Sequence, residues 1–346
     1  MTSYISTLSL STATNKSISS QTSTLVKLQK EVASGRKFDV GLDLGSATGE
    51  AVSIRAQFQT LNAIVDTNAL LSSSLDISVK ALENISSSAS DLQATLLTTI
   101  GSSSARSVVV ASTQGYLDEL ISTLNSSFNG TFLFSGINTD SPALSSYESG
   151  STSKAAIDGS FLSTFGFAQD DPGVSSISAS AMESYLDGAF ADQFNDANWS
   201  ANWSSATDEV TSSRISATDV INTSVSANED SLRKLAMAYT MVSELGSSDM
   251  TQEAFDVVTT RATELIGSAI QGLNNVIGRV GNAQARVSDA SDRIAIQTDL
   301  LNERIIKLEN IDTTEASVKL SNAVTQLELT YTITSRIQNL SLLNYL

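Results

Sequence analysis

"TTEASVKLSNAVTQLELTYTITSRIQNLSLLNYL", residues 313–346, closes the sequence without a Gly or a Pro. Asp312 precedes it and Glu315 follows three residues on, the form of a capping box. An uninterrupted run after such a cap predicts one helix of roughly 32 residues, about 48 Å long at 1.5 Å per residue. Wound at about 100° per residue, its apolar side chains sort into two groups. Leu320, Val324, Leu327 and Tyr331 form one row, and Leu342 and Tyr345 fall back near it. Val318, Leu329, Ile333, Leu340 and Leu343 lie on roughly the opposite side, with Ile337 at its edge. A helix that is apolar on two sides must be covered twice.

One cover is available within the chain. Residues 15–34 carry Ile18, Leu25, Leu28 and Val32 at spacings of 7, 3 and 4, a heptad-like stripe. That stripe is expected to pack on one C-terminal row. The second row has no evident internal partner, and left bare it would be a long apolar patch that marks an interaction site. Packing between subunits is the reading drawn from it, against the plainer one of a helix buried in a single core. Attachment to a membrane surface is disfavoured, because the polar face has few basic residues.

Between the two ends, "SGRKFDVGLDLGSATG" (34–49) is a glycine-punctuated break. Helical patterning returns over about 50–127, with a break at Gly101–Ser104, and again from about 216, with breaks at Gly246–Ser248 and near 310–312. "NGTFLFSG" (129–136) is a hairpin signal, an apolar aromatic run bracketed by Asn-Gly and Ser-Gly. Residues 140–212 hold both prolines and both tryptophans among dense Ser, Gly and Asp. They predict a small mixed or β-leaning insert. The expected fold is therefore mainly α: terminal helices paired as a coiled coil, a long helical bundle, and a β-containing central insert.

Composition narrows the chemistry. The 346 residues are 41% hydrophobic but only 6% aromatic, with 2 Pro and a net charge of −17. That charge argues against a nucleic-acid footprint and against an electrostatic hold on anionic lipid. With no Cys and no His, disulfides, thiolate zinc sites and Ser-His or Cys-His machinery are excluded. The 37 carboxylates include no pair in a setting that would shift its pKa, so no catalytic, metal or cofactor site is expected. "DVGLDLG" (39–45) resembles a calcium loop only in passing, since its spacing fails the EF-hand pattern and a turn is the better reading. Asn198-Trp199-Ser200 and Asn202-Trp203-Ser204 fit a glycosylation pattern short enough to arise by chance. Trp199 and Trp203, four apart, are expected in the insert's own core. The N-terminal residues lack a basic start followed by an apolar run, so no cleaved secretory signal is expected, and no stretch approaches a membrane span.

"VASGRKFDVGLDLGSATGEAVSIR" (32–55), "NGTFLFSG" and "LENIDTTEASVKLSNAVTQLELTYTITSRIQNLSLLNYL" (308–346) resemble the flagellin superfamily. Within it they are most similar to the junction proteins between hook and filament, in their alphaproteobacterial form. The resemblance implies a structural subunit and no enzyme. Residues 1–45 with 305–346 would form a coiled-coil inner tube, and 46–140 with 213–304 a helical bundle around it. Residues 141–212 would point outward. It also implies export through the flagellar type III channel on an uncleaved terminus, to an extracellular position. Implied partners are copies of itself, a neighbouring hook-associated protein, flagellin, and a cytoplasmic export chaperone on the C-terminal helix. The Ser-Gly-Arg turn at Ser34–Arg36 is shared with filament flagellins, which remain the alternative. The aromatic "TFLFSG", the "VGLDLGSATG" loop and the paired tryptophans favour the junction. A carboxylate-based hydrolase or carbohydrate-binding protein is the remote third reading.

Overall fold

The computed structural model describes residues 7–101 and 106–343, giving only the helical backbone for 7, 8 and 337–343. The chain divides into two compact units, residues 1–63 with 294–346, and residues 64–293. Its long helices are α1 (Thr7–Ser34), α3 (Thr48–Thr99), α4 (Arg106–Leu124), α8 (Asp230–Glu244), α9 (Gln252–Glu309) and α10 (Thr313–Leu343). The breaks fall at Gly101, at 245–251 and at 310–312, where Gly and Ser-rich runs or an N-cap interrupt the apolar period. α1 stops because Gly35 takes φ +70° and donates its N–H to the Glu31 carbonyl at 2.8 Å, a left-handed C-terminal cap. A short helix, α2 (Val40–Leu44), follows, capped by Asp39 accepting from the Leu42 N–H. It occupies the segment that resembled a calcium loop.

In the unit of residues 64–293, buried Leu75, Leu82, Ile85, Ala89, Leu92 and Leu96 of α3 recur at spacings of 7, 3, 4, 3 and 4. Val258, Ala262, Ile266, Ala269, Leu273, Val276 and Val280 of α9 do the same. α8 is buried on nearly every side from Leu232 to Val242, as expected of a helix surrounded by neighbours. The hairpin β1 (Ser127–Phe128) and β2 (Thr131–Phe132) turns through Asn129 (φ 50°) and Gly130 (φ 80°). Positive φ at both central residues is the two-residue turn that Asn-Gly favours.

Residues 141–212 fold mainly as short helices, α5 (Thr152–Phe165), α6 (Ala179–Tyr185) and α7 (Asp196–Asn202). Their core is aromatic. Trp199 and Trp203 are buried and stack with centroids 5.6 Å apart, and Trp203 stacks on Tyr147 at 5.1 Å. The Trp199 indole N–H donates to Asn228 Oδ1 at 2.8 Å. The helical pattern expected from about 216 does not hold there: β3 (Ser212–Arg214) pairs with β4 (Val220–Asn222) before α8 begins. The β-branched residues of "DVINT" suit a strand, and Asn68 of α3 fixes the hairpin by donating to the Ile215 carbonyl at 3.0 Å.

Gly136 binds the β1–β2 region to the insert. Its φ is +67°, and a Cβ there would lie 2.3–2.5 Å from Thr207 Oγ1, the Thr207 carbonyl and the Glu209 carbonyl. Gly136→Ala is therefore expected to destabilise this unit by about 3 kcal/mol. Thermal unfolding followed by tryptophan fluorescence reads this directly, since both tryptophans lie in the unit; an unchanged midpoint would contradict it.

Candidate assembly interface

α1 and α10 pack antiparallel, α1 running toward the 310–312 turn and α10 away from it. The covered side of α1 is Thr14, Ile18, Gln21, Leu25, Leu28 and Val32, spaced 4, 3, 4, 3 and 4. The covered side of α10 is Ala316, Leu320, Ala323, Leu327, Thr330 and Thr334, at the same spacings. This is a 3.5-residue seam, the repeat of a two-helix coiled coil. Ile18, Leu25, Leu28 and Val32 thus all face the seam, as do Leu320 and Leu327.

Val324 and Tyr331 do not. They were grouped with Leu320 and Leu327, yet they are 38% and 52% exposed. Each stands one position beyond a seam-facing residue, so the closer 3.5 repeat turns it out to the flank. On the far side of α10, Val318 and Leu329 are 57% and 56% exposed, and Ile333, one position before seam-facing Thr334, is 56% exposed on the other flank. Ile337, Leu340, Leu342 and Leu343 belong to the last turns of α10, but their side chains lie outside the described residues, and Tyr345 lies outside them altogether. Leu10 and Val26 are exposed on α1. The terminal pair therefore has one covered seam and an uncovered apolar face.

The joint at the base of the pair was not read from the sequence. Glu309 ends α9 with its side chain 0% exposed. Arg55 of α3 donates to both carboxylate oxygens, Nε to Oε1 and a terminal nitrogen to Oε2, and Arg36 donates to Oε2 at 3.0 Å. The backbone closes around them. The Lys37 N–H donates to the Glu309 carbonyl at 2.8 Å, and the Ile311 N–H to the Gly35 carbonyl at 3.1 Å. Lys37 Nζ donates to the Leu308 carbonyl at 2.7 Å. Glu31, also buried, accepts from the Phe38 N–H at 3.2 Å. Asp312 caps α10, accepting from the N–H groups of Thr314 (2.8 Å) and Glu315 (3.1 Å). The one sequence signal was an acid in the last turn of a helix, where the backbone dipole favours a cation.

Among the described residues, no group of three or more Asp or Glu is placed to hold a metal ion, and no helix is long and apolar enough to cross a membrane.

The hydrogen bonds from Arg55, and then the charges of Arg55 and Arg36, hold the Glu309 carboxyl below its ordinary value against the opposing effect of burial. The folded form then binds the proton more weakly than the unfolded chain. The stabilisation is present above the unfolded carboxylate range, roughly pH 4, and is lost as pH falls through the depressed folded value. Glu309→Gln should cost the unit of residues 1–63 and 294–346 about 2 kcal/mol at neutral pH, because half-exposed arginines soften the loss. It should also make the acid limb of the stability curve shallower. Urea unfolding followed by far-ultraviolet circular dichroism at pH 7 and pH 3.5 measures both; equal stability and an unchanged acid limb would contradict the assignment.

Residues 5–139 match the family model of the bacterial flagellin N-terminal helical region, and residues 263–346 that of the bacterial flagellin C-terminal helical region. No curated protein sequence matches the chain at a significant level. In fold it is similar to a solved structure assigned as a flagellar hook-associated protein from Vibrio parahaemolyticus. That likeness has a TM-score of 0.51 and 12% identity, and it covers 75% of this chain and 96% of the other. At that identity the likeness speaks to fold. The two family regions take in the whole terminal pair and more than half of the chain. On this ground the protein is a self-assembling, non-enzymatic structural component of the bacterial flagellum, and the chain belongs to the flagellin superfamily.

Proposed function

We propose that this subunit joins hook to filament, and that its terminal helices bury their uncovered faces against neighbouring subunits. The carrying observation is the outer surface of α10, where Val318 and Leu329 are exposed opposite a seam that α1 already covers and Ile333 is exposed on its flank. Such a face is costly in a free monomer and stabilising once another helix covers it. In this reading residues 1–45 with 305–346 line an inner tube, 46–140 with 213–304 surround it, and 141–212 face outward. The neighbours are further copies, another hook-associated protein and flagellin, with an export chaperone masking α10 before secretion.

Two features favour the junction over the filament: the hook-associated assignment of the fold neighbour, and the sequence resemblance at 129–136 and 39–49. A filament flagellin would share the same terminal pair, so physiology must separate them. Deleting the gene and viewing the hook tip by electron microscopy does so. Hooks should end bare while flagellin spills into the medium. Filaments that persist, in a strain without a duplicate gene, would overturn the junction role.

A further inference from the structure

The charge of the chain is divided unevenly. Residues 1–63 and 294–346 hold ten basic and ten acidic side chains, whereas 64–293 hold ten basic and 27 acidic, so the whole net charge of −17 lies in the second unit. One groove of that unit concentrates it. Between α6, with its continuation at Leu186–Phe190, and α9, the carboxylates of Glu183, Asp187, Asp256 and Glu264 surround an opening of about 300 Å³ lined by Leu186 and Val257. The one cation among the lining residues, Arg261, is engaged by Asp187 at 2.7 Å and Glu264 at 3.2 Å. An opening of this size is at the small end of ligand sites and suits a protruding side chain better than a free small molecule.

The first unit carries an anchor of the complementary kind. Besides the Asp39 cap, α2 is held by the Thr48 hydroxyl, shared between the carbonyls of Gly41 and Gly45 at 2.8 Å each, and by Lys27 Nζ donating to Asp43 at 2.9 Å. From this fixed turn Leu42 stands 79% exposed, and Phe38, just before the cap, is 47% exposed. The Lys30 ammonium lies 5.0 Å from the Phe38 ring centroid, and Lys37 Nζ donates to the Leu308 carbonyl; neither ammonium forms an ion pair among the described residues. A large apolar side chain held out by an already ordered turn loses little entropy on burial, which is the character of an interface anchor.

We propose that α2 of one copy seats Leu42 and Phe38 in the acidic groove of a second copy, with Lys30 facing Glu183 and the neighbouring carboxylates. Apolar burial and charge both favour this pairing, while groove against groove and α2 against α2 would each set like charges together. A contact between two different surfaces is heterologous, so it passes from copy to copy into a ring or a filament instead of closing a dimer. The inference rests on self-assembly alone and holds for junction and filament alike, so its failure and that of the junction role are separable.

The chain has no Cys, so introduced cysteines are its sole thiols. Leu42→Cys and Thr260→Cys, the latter at an exposed residue of the groove, are placed on separate full-length copies and co-expressed, and the assembled flagellar structures are oxidised. A disulfide-linked dimer should form in the mixture and be at least tenfold scarcer with either variant alone. With both cysteines on one chain, a ladder of dimer, trimer and longer species should appear. Where Leu42→Cys itself blocks incorporation, Phe38→Cys takes its place. Lys30→Glu and Glu183→Lys should each lower incorporation at least threefold by immunoblot of isolated flagella, and their combination should restore it, with the thermal midpoints of the free chains unchanged. No mixed dimer in assembled structures, a disulfide closed within one chain, or no rescue in the double charge variant would each overturn the proposal. So would a photo-crosslinker attached at Thr260→Cys that captures a different flagellar protein and no second copy.

Discussion

The side chain of Glu309 is fully buried where α9 gives way to α10, and the guanidinium groups of Arg36 and Arg55 meet its charge. Removing one partner from such a group leaves an unpaired charge out of water, which costs far more than a surface ion pair contributes. The direction in which the terminal helices leave the joint depends on this arrangement. So does the register of their seam, because the same residues carry the backbone bonds from Lys37 to Glu309 and from Ile311 to Gly35. The two arginines are half exposed, so water shares in solvating them and moderates the effect.

Beyond the joint, the terminal pair is held by little. Its seam is one heptad stripe per helix, rich in Ala and Thr on α10, and most of its positions are only half-buried. Large apolar side chains stand on both sides of α10: Leu320 and Leu327 in the seam among Ala316, Ala323 and Thr330, and Leu329, Ile333 and Val318 outside it. A helix that is apolar on both sides is fully covered only by two partners. In the unit of residues 64–293 the reverse holds. α8 is enclosed, and the stacked tryptophans and Tyr147 give the insert its own core.

Much of this was legible in the sequence, for physical reasons that differ by element. The seam residues of α1 stood out because a heptad stripe is a local signal, and the helix breaks because Gly and capping residues act locally. Val324 and Tyr331 were misplaced because straight-helix winding assumes 3.6 residues per turn, whereas a paired helix follows 3.5. The β3–β4 hairpin was lost in a Ser- and Thr-rich stretch with little apolar alternation, and its contact with Asn68 comes from far away in sequence. The Glu309 joint was invisible because its partners lie 254 and 273 residues away, and no local pattern names such a pair.

The central claim is that the outer face of α10 is an interface between subunits. Replacing Leu329 and Ile333 together by Ser changes two exposed side chains and should leave the thermal midpoint of the free chain unchanged, while the secreted protein fails to incorporate and collects in the medium. Incorporation at the wild-type level, measured by immunoelectron microscopy of the flagellum, would contradict the account.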